Sequence, residues 1–244
     1  MARRTAEKRQ DEKMMSVWDH LRELRGRITI SLIAVAFGAI ICFALFEPIL
    51  GFILDPYEDI TNKIFITTGP LDAFILRMKV AAYGGIVIAS PVIFFQLWRF
   101  VTPGLYPNEK KYAVPFVIAS VVLFVSGALV AILTFPRALD FLINIGGDDI
   151  EPLFTAPSYV SLVLVMVVAF GFAFEFPLLV VFLLLARIVE TRQLRQWRRY
   201  TFLGIVVIAA VITPSQDPIT LFALAIPMYI LYEGAIVVGR LMRR

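Results

Sequence analysis

Residues 28–46 read ITISLIAVAFGAIICFALF, nineteen residues without a charge between Arg27 and Glu47. About 20 apolar residues make a helix long enough to cross the roughly 30 Å hydrocarbon core of a bilayer. Inside lipid every backbone group must be hydrogen-bonded, so a span is either a helix or a strand of a closed barrel. The run lacks the alternation of apolar and polar residues that marks a barrel strand, and it therefore predicts a transmembrane helix.

Similar runs follow along the chain. Residues 80–98, 112–136 and 152–174 carry no charge, and only Glu175 separates the last of these runs from the apolar residues 176–186. With the first run they predict four transmembrane helices.

The last third of the chain is less regular. Residues 200–212 and 218–232 are charge-free, and the first of these runs would cover only about 20 Å as a helix. One interpretation is a re-entrant or interfacial hairpin. The other, which we prefer, is two short spans that thin the local bilayer, with the turn at residues 214–218 reaching the far surface.

The composition supports a multi-span membrane protein. Of the 244 residues, 59% are hydrophobic and only 17% are charged, against about 25% in a soluble domain. The mean hydropathy is +0.82. The chain has one cysteine, Cys42, and one histidine, His20, which excludes a disulfide framework and multi-Cys or multi-His metal sites. No phosphate-binding loop, HExxH or GxSxG motif is present, so we expect no catalytic residues, metal or cofactor, and no nucleic-acid partner.

Basic residues are distributed unevenly along the chain. Residues 1–27 hold eight, 99–111 three, 187–199 five and 240–244 three, which is 19 of the 23 lysines and arginines. The positive-inside rule then places both termini and the two basic loops in the cytoplasm. Termini on one side require an even number of crossings, and six helices fit.

The segment that precedes the first span has its own pattern. Ser16 and Asp19 are typical of a helix start, and an apolar stripe follows them. A short amphipathic helix is therefore predicted on the cytoplasmic surface, running into the first span. On its polar side, Glu23 is four residues before Arg27, and the simplest role of this acid is a weak ion pair.

Two other acids stand out. Glu109 lies in a loop that two prolines and a glycine stiffen, where it is either a solvated carboxylate or a presented acidic group. Glu175 lies within an apolar run, where a charge costs on the order of 2.5–3.5 kcal/mol on insertion scales, so a function or a structural hydrogen bond must retain it. Prolines within the apolar runs are predicted to kink or break their helices: Pro91, Pro177 and Pro227.

Four ordered motifs make the chain recognisable. They are HLRELRGR at 20–27, SPVIFFQLWRFVTPGLYPNEKK at 90–111, AFGFAFEFP at 169–177, and Thr-Pro, Asp, Ala-Ile-Pro-Met-Tyr and Tyr-Glu between 213 and 233. Together they resemble the TatC family, the polytopic subunit of the twin-arginine protein translocase.

The resemblance implies an all-α integral membrane protein with six transmembrane helices in a cup-shaped bundle, both termini cytoplasmic and the last two helices short. The domains would be a polar tail at 1–15, a membrane domain at 16–240 and a second tail at 241–244. Family members receive twin-arginine signal peptides of folded cargo at the bacterial or archaeal cytoplasmic membrane. They work in hetero-oligomers with several TatC copies and the single-span TatA and TatB, driven by the proton-motive force.

The resemblance also implies roles for particular residues. It assigns Glu23 and Glu109 to the signal peptide's arginine pair and makes Glu175 an intramembrane functional residue on the concave face. The same recognition region contains four other residues: Arg25, Phe100, Leu105 and Tyr106.

Two details depart from the family pattern. The turn Thr213-Pro214-Ser215-Gln216-Asp217 is one residue longer than usual. Some members carry a glutamine near the intramembrane glutamate, where this chain has Thr220 or Leu221, so a hydrogen-bond partner for Glu175 is not evident. Two rival classes stay open on residue chemistry alone, namely a proton-coupled transporter that uses Glu175 and a structural scaffold.

Overall fold

The computed structural model describes residues 17–61, 65, 69–101, 113–147, 154–215 and 217–241. The regular elements in these ranges are nine α-helices. In chain order they are α1 Val17–Ala44, α2 Phe46–Thr61, α3 Asp72–Val101, α4 Ala113–Asn144, α5 Ala156–Ala173, α6 Phe176–Leu185, α7 Thr191–Gln196, α8 Arg198–Ile212 and α9 Pro218–Leu241.

Five stretches of the described chain are long and apolar enough to cross a membrane, with α5 and α6 together counted as one stretch. The four runs predicted from the charge-free residues are all among them, and the fifth is α9. At 15 residues, α8 is about 22 Å long and falls short of the hydrocarbon thickness.

The last helix is longer than predicted. With 24 residues, α9 extends over about 36 Å, so the expectation that the last two helices are both short is wrong for α9. Glu233 ends the charge-free run in the sequence, and in the structure its carboxylate pairs with Arg198 at 2.5 Å and accepts a hydrogen bond from the Tyr229 hydroxyl at 3.2 Å. An acid ends an apolar run but not a helix, because glutamate is a good helix former, and α9 continues to Leu241.

The longer turn before α9 still caps the helix. Asp217 is 3% exposed, and its carboxylate accepts hydrogen bonds from the Thr220 backbone N–H at 2.8 Å and the Thr220 hydroxyl at 2.7 Å. Pro218 follows at the first helical position, where its missing N–H costs nothing. This arrangement satisfies donors that a helix start leaves unpaired.

Two segments differ from their sequence-based description. The predicted amphipathic surface helix is not a separate element, because α1 runs without a break from Val17 into the span. The helix α2 was not predicted at all. Its apolar residues follow a helical stripe, and two of them, Ile53 and Tyr57, are buried in the main core.

The three prolines behave differently from one another. Pro91 and Pro227 lie inside α3 and α9, which both continue past them, so neither breaks its helix. Pro177 follows a true interruption, because α5 ends at Ala173 and α6 begins at Phe176.

Glycines bring the helices of the bundle close together. A Cβ on Gly85 of α3 would lie 2.7 Å from the Ala39 backbone N of α1, and a Cβ on Gly127 of α4 would lie 2.5 Å from the Phe170 carbonyl oxygen of α5. In a membrane no hydrophobic driving force holds helices together, and small residues at crossings let the backbones approach closely enough to pack. The α1–α3 and α4–α5 pairs join through the α3–α5 contact, and α9 packs on α4, α6 and α8.

Candidate functional site

The first candidate acid, Glu23, lies in a small polar cluster between α1 and α3. Helical spacing puts Arg27 one turn after Glu23, and Arg27 Nη2 donates to Glu23 Oε1 at 2.9 Å. Arg27 Nη1 donates to Gln96 Oε1 of α3 at 3.1 Å. We call these three residues, Glu23, Arg27 and Gln96, the Glu23 cluster. It forms the ion pair that the spacing predicted and adds a partner 69 residues away in sequence.

The Glu23 cluster is largely shielded from solvent. The side chains of Arg27 and Glu23 are 17% and 19% exposed, and Gln96 is buried. Charge-assisted hydrogen bonds gain strength when water is excluded, and the desolvation of the two charges offsets part of that gain.

Two rings stack near the Glu23 cluster, where the start of α1 meets the end of α3. His20 stacks on Phe100 with ring centroids 4.3 Å apart and planes 19° apart. Arg25 is exposed on α1, and its carbonyl oxygen accepts a hydrogen bond from Thr29. Thus Glu23 and Phe100 both lie where the start of α1 meets the end of α3. The other predicted recognition residues lie outside the described residues: Leu105, Tyr106 and Glu109.

Glu175 lies at the interruption between α5 and α6. Its backbone N–H bonds to the Phe172 carbonyl in a tighter turn, and its own carbonyl accepts the Leu179 N–H at 3.0 Å. Pro177 has no N–H to donate, which explains why the regular helical pattern stops here. Carboxylate atom Oε1 is buried and has no hydrogen-bond partner among the residues that the structure describes. A buried acceptor without a partner costs roughly 1–3 kcal/mol.

An apolar groove of about 530 Å³ opens beside Glu175. Its described lining comes from α3, the α5–α6 junction, α8 and α9, and Glu175 is the one ionisable residue among those lining residues. Aromatic and aliphatic side chains form the walls, including Phe94, Trp98, Phe172 and Met228. The arrangement suits an apolar helix or peptide that carries a polar group at the depth of Glu175.

The polar neighbour of Glu175 is on α4, not on the last helix. Ser120 is fully buried beside the Glu175 carboxyl, and its hydroxyl accepts a hydrogen bond from the Trp98 indole N–H at 2.8 Å. No pattern in the sequence singles out Ser120, because serine is common in membrane helices. Thr220, one of the two residues that the resemblance implies near Glu175, bonds to Asp217 at the start of α9.

Comparison with known proteins bears on this arrangement. The family model for the Sec-independent protein translocase protein (TatC) matches residues 19–227. The chain belongs to the TatC family. Similar relatives are the TatC proteins of Frankia casuarinae (42% identical, covering 94% of this chain and 66% of the relative), Carboxydothermus hydrogenoformans (35%, 96% of each) and Aquifex aeolicus (38%, 94% and 97%).

Solved structures agree with the sequence relatives. A crystal structure of the twin arginine translocase receptor TatC in DDM superimposes with a TM-score of 0.78 at 38% identity, covering 90% of this chain and 99% of the other. The resemblance drawn from the four motifs is thereby confirmed. This TatC-family chain is an all-helical, multi-pass membrane protein and a component of a protein translocase, which is a transport system and not an enzyme.

Proposed function

We propose that this TatC-family protein is the receptor for twin-arginine signal peptides and the core of a translocase that exports folded proteins. The proposal rests on the hydrogen bonding of the Glu23 carboxylate. Its Oε1 accepts a hydrogen bond from Arg27 at 2.9 Å, and no described residue bonds to its Oε2. An incoming guanidinium therefore has a carboxylate oxygen to bind. Export is driven by the proton-motive force across a bacterial or archaeal cytoplasmic membrane, in a hetero-oligomer with TatA, TatB and several TatC copies.

The chemistry of the signal fits this assignment. Two guanidinium groups need two carboxylates, and Glu23 and Glu109 supply one for each arginine. Arg25, Phe100, Leu105 and Tyr106 complete the recognition region. Exposed ion pairs contribute only about 0.2–1 kcal/mol each, so the pairs set specificity. The apolar stretch of the signal supplies most of the affinity, and the groove beside Glu175 is large and apolar enough to receive it.

A binding measurement tests the receptor function. The purified protein in detergent should bind a twin-arginine peptide more tightly than its twin-lysine version. Glu23→Gln should weaken twin-arginine binding about fivefold, because one ion pair of roughly 1 kcal/mol is lost. Glu47→Gln is the matched control, since this acid is exposed near the start of α2, away from the Glu23 cluster, and accepts a hydrogen bond from Arg77 of α3 at 3.5 Å.

Equal affinity of the wild-type protein for the two peptides would contradict the receptor function. It would favour the two rival classes, the proton-coupled transporter and the scaffold, since neither has a reason to distinguish arginine from lysine. A Glu23→Gln variant that binds like the wild type would contradict the role of Glu23 alone.

We further propose six crossings in a cup-shaped bundle, with both termini in the cytoplasm. The five long apolar stretches and the placement of 19 basic residues support it, and α8 supplies the sixth, short crossing. The polar tails at 1–15 and 241–244 then flank one membrane domain at 16–240.

Cysteine labelling in intact cells tests this topology. In a Cys42→Ala background, a membrane-impermeant thiol reagent should label Ile145→Cys and Pro214→Cys from outside, since both positions are exposed beyond the ends of helices. Arg195→Cys on α7 should react only after lysis. If Pro214→Cys is protected in whole cells, α8 does not reach the far surface and the re-entrant hairpin is correct.

A further inference from the structure

We infer that Arg27 and Gln96 are positioning residues that make Glu23 selective for arginine over lysine. The inference rests on the proposed receptor function and deepens it. It starts from the planar fork of Arg27, whose two terminal nitrogens bond different helices: Nη2 to Glu23 on α1 and Nη1 to Gln96 on α3. A guanidinium can serve two fixed acceptors at once in this way, whereas an ammonium is a rotating point charge.

The position of this fork is set by tight packing around it. Gln96 is 7% exposed on α3, between Phe94 and Trp98, which are buried in a second apolar cluster. The α1–α3 pair is in close contact further along, where Gly38 and Gly85 leave no room for a Cβ. Because both helices are fixed against each other, Gln96 determines where the Arg27 guanidinium lies, and Arg27 determines where Glu23 Oε1 lies.

Two consequences follow for the binding of a cation. First, the Glu23–Arg27 pair is neutral as a unit, so it attracts passing cations weakly. Second, one carboxylate oxygen is held in place and the other is presented at a fixed angle. A mobile carboxylate would adapt equally to an ammonium or a guanidinium. A fixed oxygen instead binds more strongly to the directional N–H donors of arginine. The Glu23 cluster therefore makes the Glu23 carboxylate selective for arginine, where a mobile carboxylate would bind either cation.

The test measures dissociation constants of twin-arginine and twin-lysine peptides with the full-length protein in lipid nanodiscs. Gln96→Leu frees Arg27, and we expect the ratio of the two constants to fall about threefold or more toward equality, through weaker arginine binding and unchanged or tighter lysine binding. Gln96→Glu keeps an acceptor at the same reach and should retain the preference. Arg22→Gln is the control, since it removes an exposed positive charge from the same helix without touching the Glu23 cluster.

A double-mutant cycle separates positioning from general stability. In a Glu23→Gln background, Gln96→Leu should change the ratio by less than about twofold, because a residue that acts through Glu23 has no effect once Glu23 is gone. Where Gln96→Leu does not fold, Arg27→Lys is measured instead, since lysine cannot bridge both acceptors in the same geometry.

The outcomes are distinct. A wild-type protein that does not discriminate between the peptides overturns the receptor function itself. A wild-type protein that discriminates, with a ratio unchanged in Gln96→Leu or Arg27→Lys, overturns only the positioning role. The positioning role is also overturned if Gln96→Leu changes the ratio of dissociation constants equally with and without Glu23. It is overturned as well if Arg27→Lys binds the twin-arginine peptide more tightly, because Arg27 would then compete with the signal for Glu23.

Discussion

Leucine in place of Gly127 is expected to abolish the folded, monodisperse protein. Even a single Cβ at this position would lie 2.5 Å from the Phe170 carbonyl oxygen and 2.9 Å from its carbonyl carbon. Both atoms belong to the backbone of α5, so no side-chain rotation can relieve the clash. Overpacking costs about 1–3 kcal/mol even where side chains can adjust, and here α4 and α5 must separate. Fluorescence-detected gel filtration and thermal melting in detergent measure the loss.

Gly234→Leu is the matched control for this prediction. Gly234 also lies within a membrane helix, α9, but a Cβ there meets no atom within 4 Å. Leucine is a better helix former than glycine by somewhat under about 1 kcal/mol, so this variant should melt at the wild-type temperature or above it. Equal melting of Gly127→Leu and Gly234→Leu would show that the α4–α5 crossing is not held as closely as the structure has it.

The hydrophobic lengths of the spans were predictable because they depend on local composition. The described residues of these four runs, 28–46, 80–98, 113–136 and 154–174, lie almost entirely in helices. The helix ends were not predictable in the same way. The helix α4 continues eight residues past Pro136, the end of its charge-free run. The helix α9 likewise continues past Glu233, because a charged residue ends an apolar run without ending a helix.

The helix α2 shows a different limit of the sequence. Its acids, including Asp55, interrupt the apolar residues, so no charge-free run marks this segment as a helix. The apolar stripe through Ile49, Ile53 and Tyr57 was available as a signal, since these positions share one helical face. Asp55 is exposed on the helix while Tyr57 is buried, so Asp55 marks a solvated helical face and not a loop.

Within the candidate site, local pairs were predictable and distant ones were not. The bond between Glu23 and Arg27 follows from a spacing of four residues. The bond from Arg27 to Gln96 depends on the rotation of α1 against α3, which the close approach of glycines sets and which no spacing in the sequence reveals. The position of Ser120 beside Glu175 likewise depends on how α4 meets the α5–α6 junction.

The second large effect is expected for Glu175→Leu. On the proposed function, export of a folded twin-arginine substrate should fall at least about tenfold, because the groove loses the one ionisable group among its described lining residues. Binding of the signal's arginine pair should stay within about twofold of wild type, since neither the Glu23 cluster nor Phe100 is among the residues that line the groove beside Glu175. Export in cells and peptide binding by the purified protein are the two measurements.

Stability should move in the opposite direction from export. Glu175 keeps a buried oxygen without a partner among the described residues, and removing it relieves a cost of roughly 1–3 kcal/mol. The melting temperature of Glu175→Leu should therefore equal or exceed that of the wild type. A residue that lowers the stability of the fold must have a role other than stability. If Glu175→Leu raises the melting temperature and loses export, that role is transport.

Glu175→Gln distinguishes the two properties that this carboxyl could contribute. Glutamine keeps the shape and the hydrogen-bonding oxygen next to Ser120 but carries no charge at any pH. If export in Glu175→Gln approaches wild type, the groove needs a hydrogen-bonding group at this depth, and a partner helix or signal must supply a donor. If export is lost as in Glu175→Leu, the ionisable proton is required, which would strengthen the link to the proton-motive force. Normal export in Glu175→Leu would refute both and reduce Glu175 to a structural residue of the α5–α6 break.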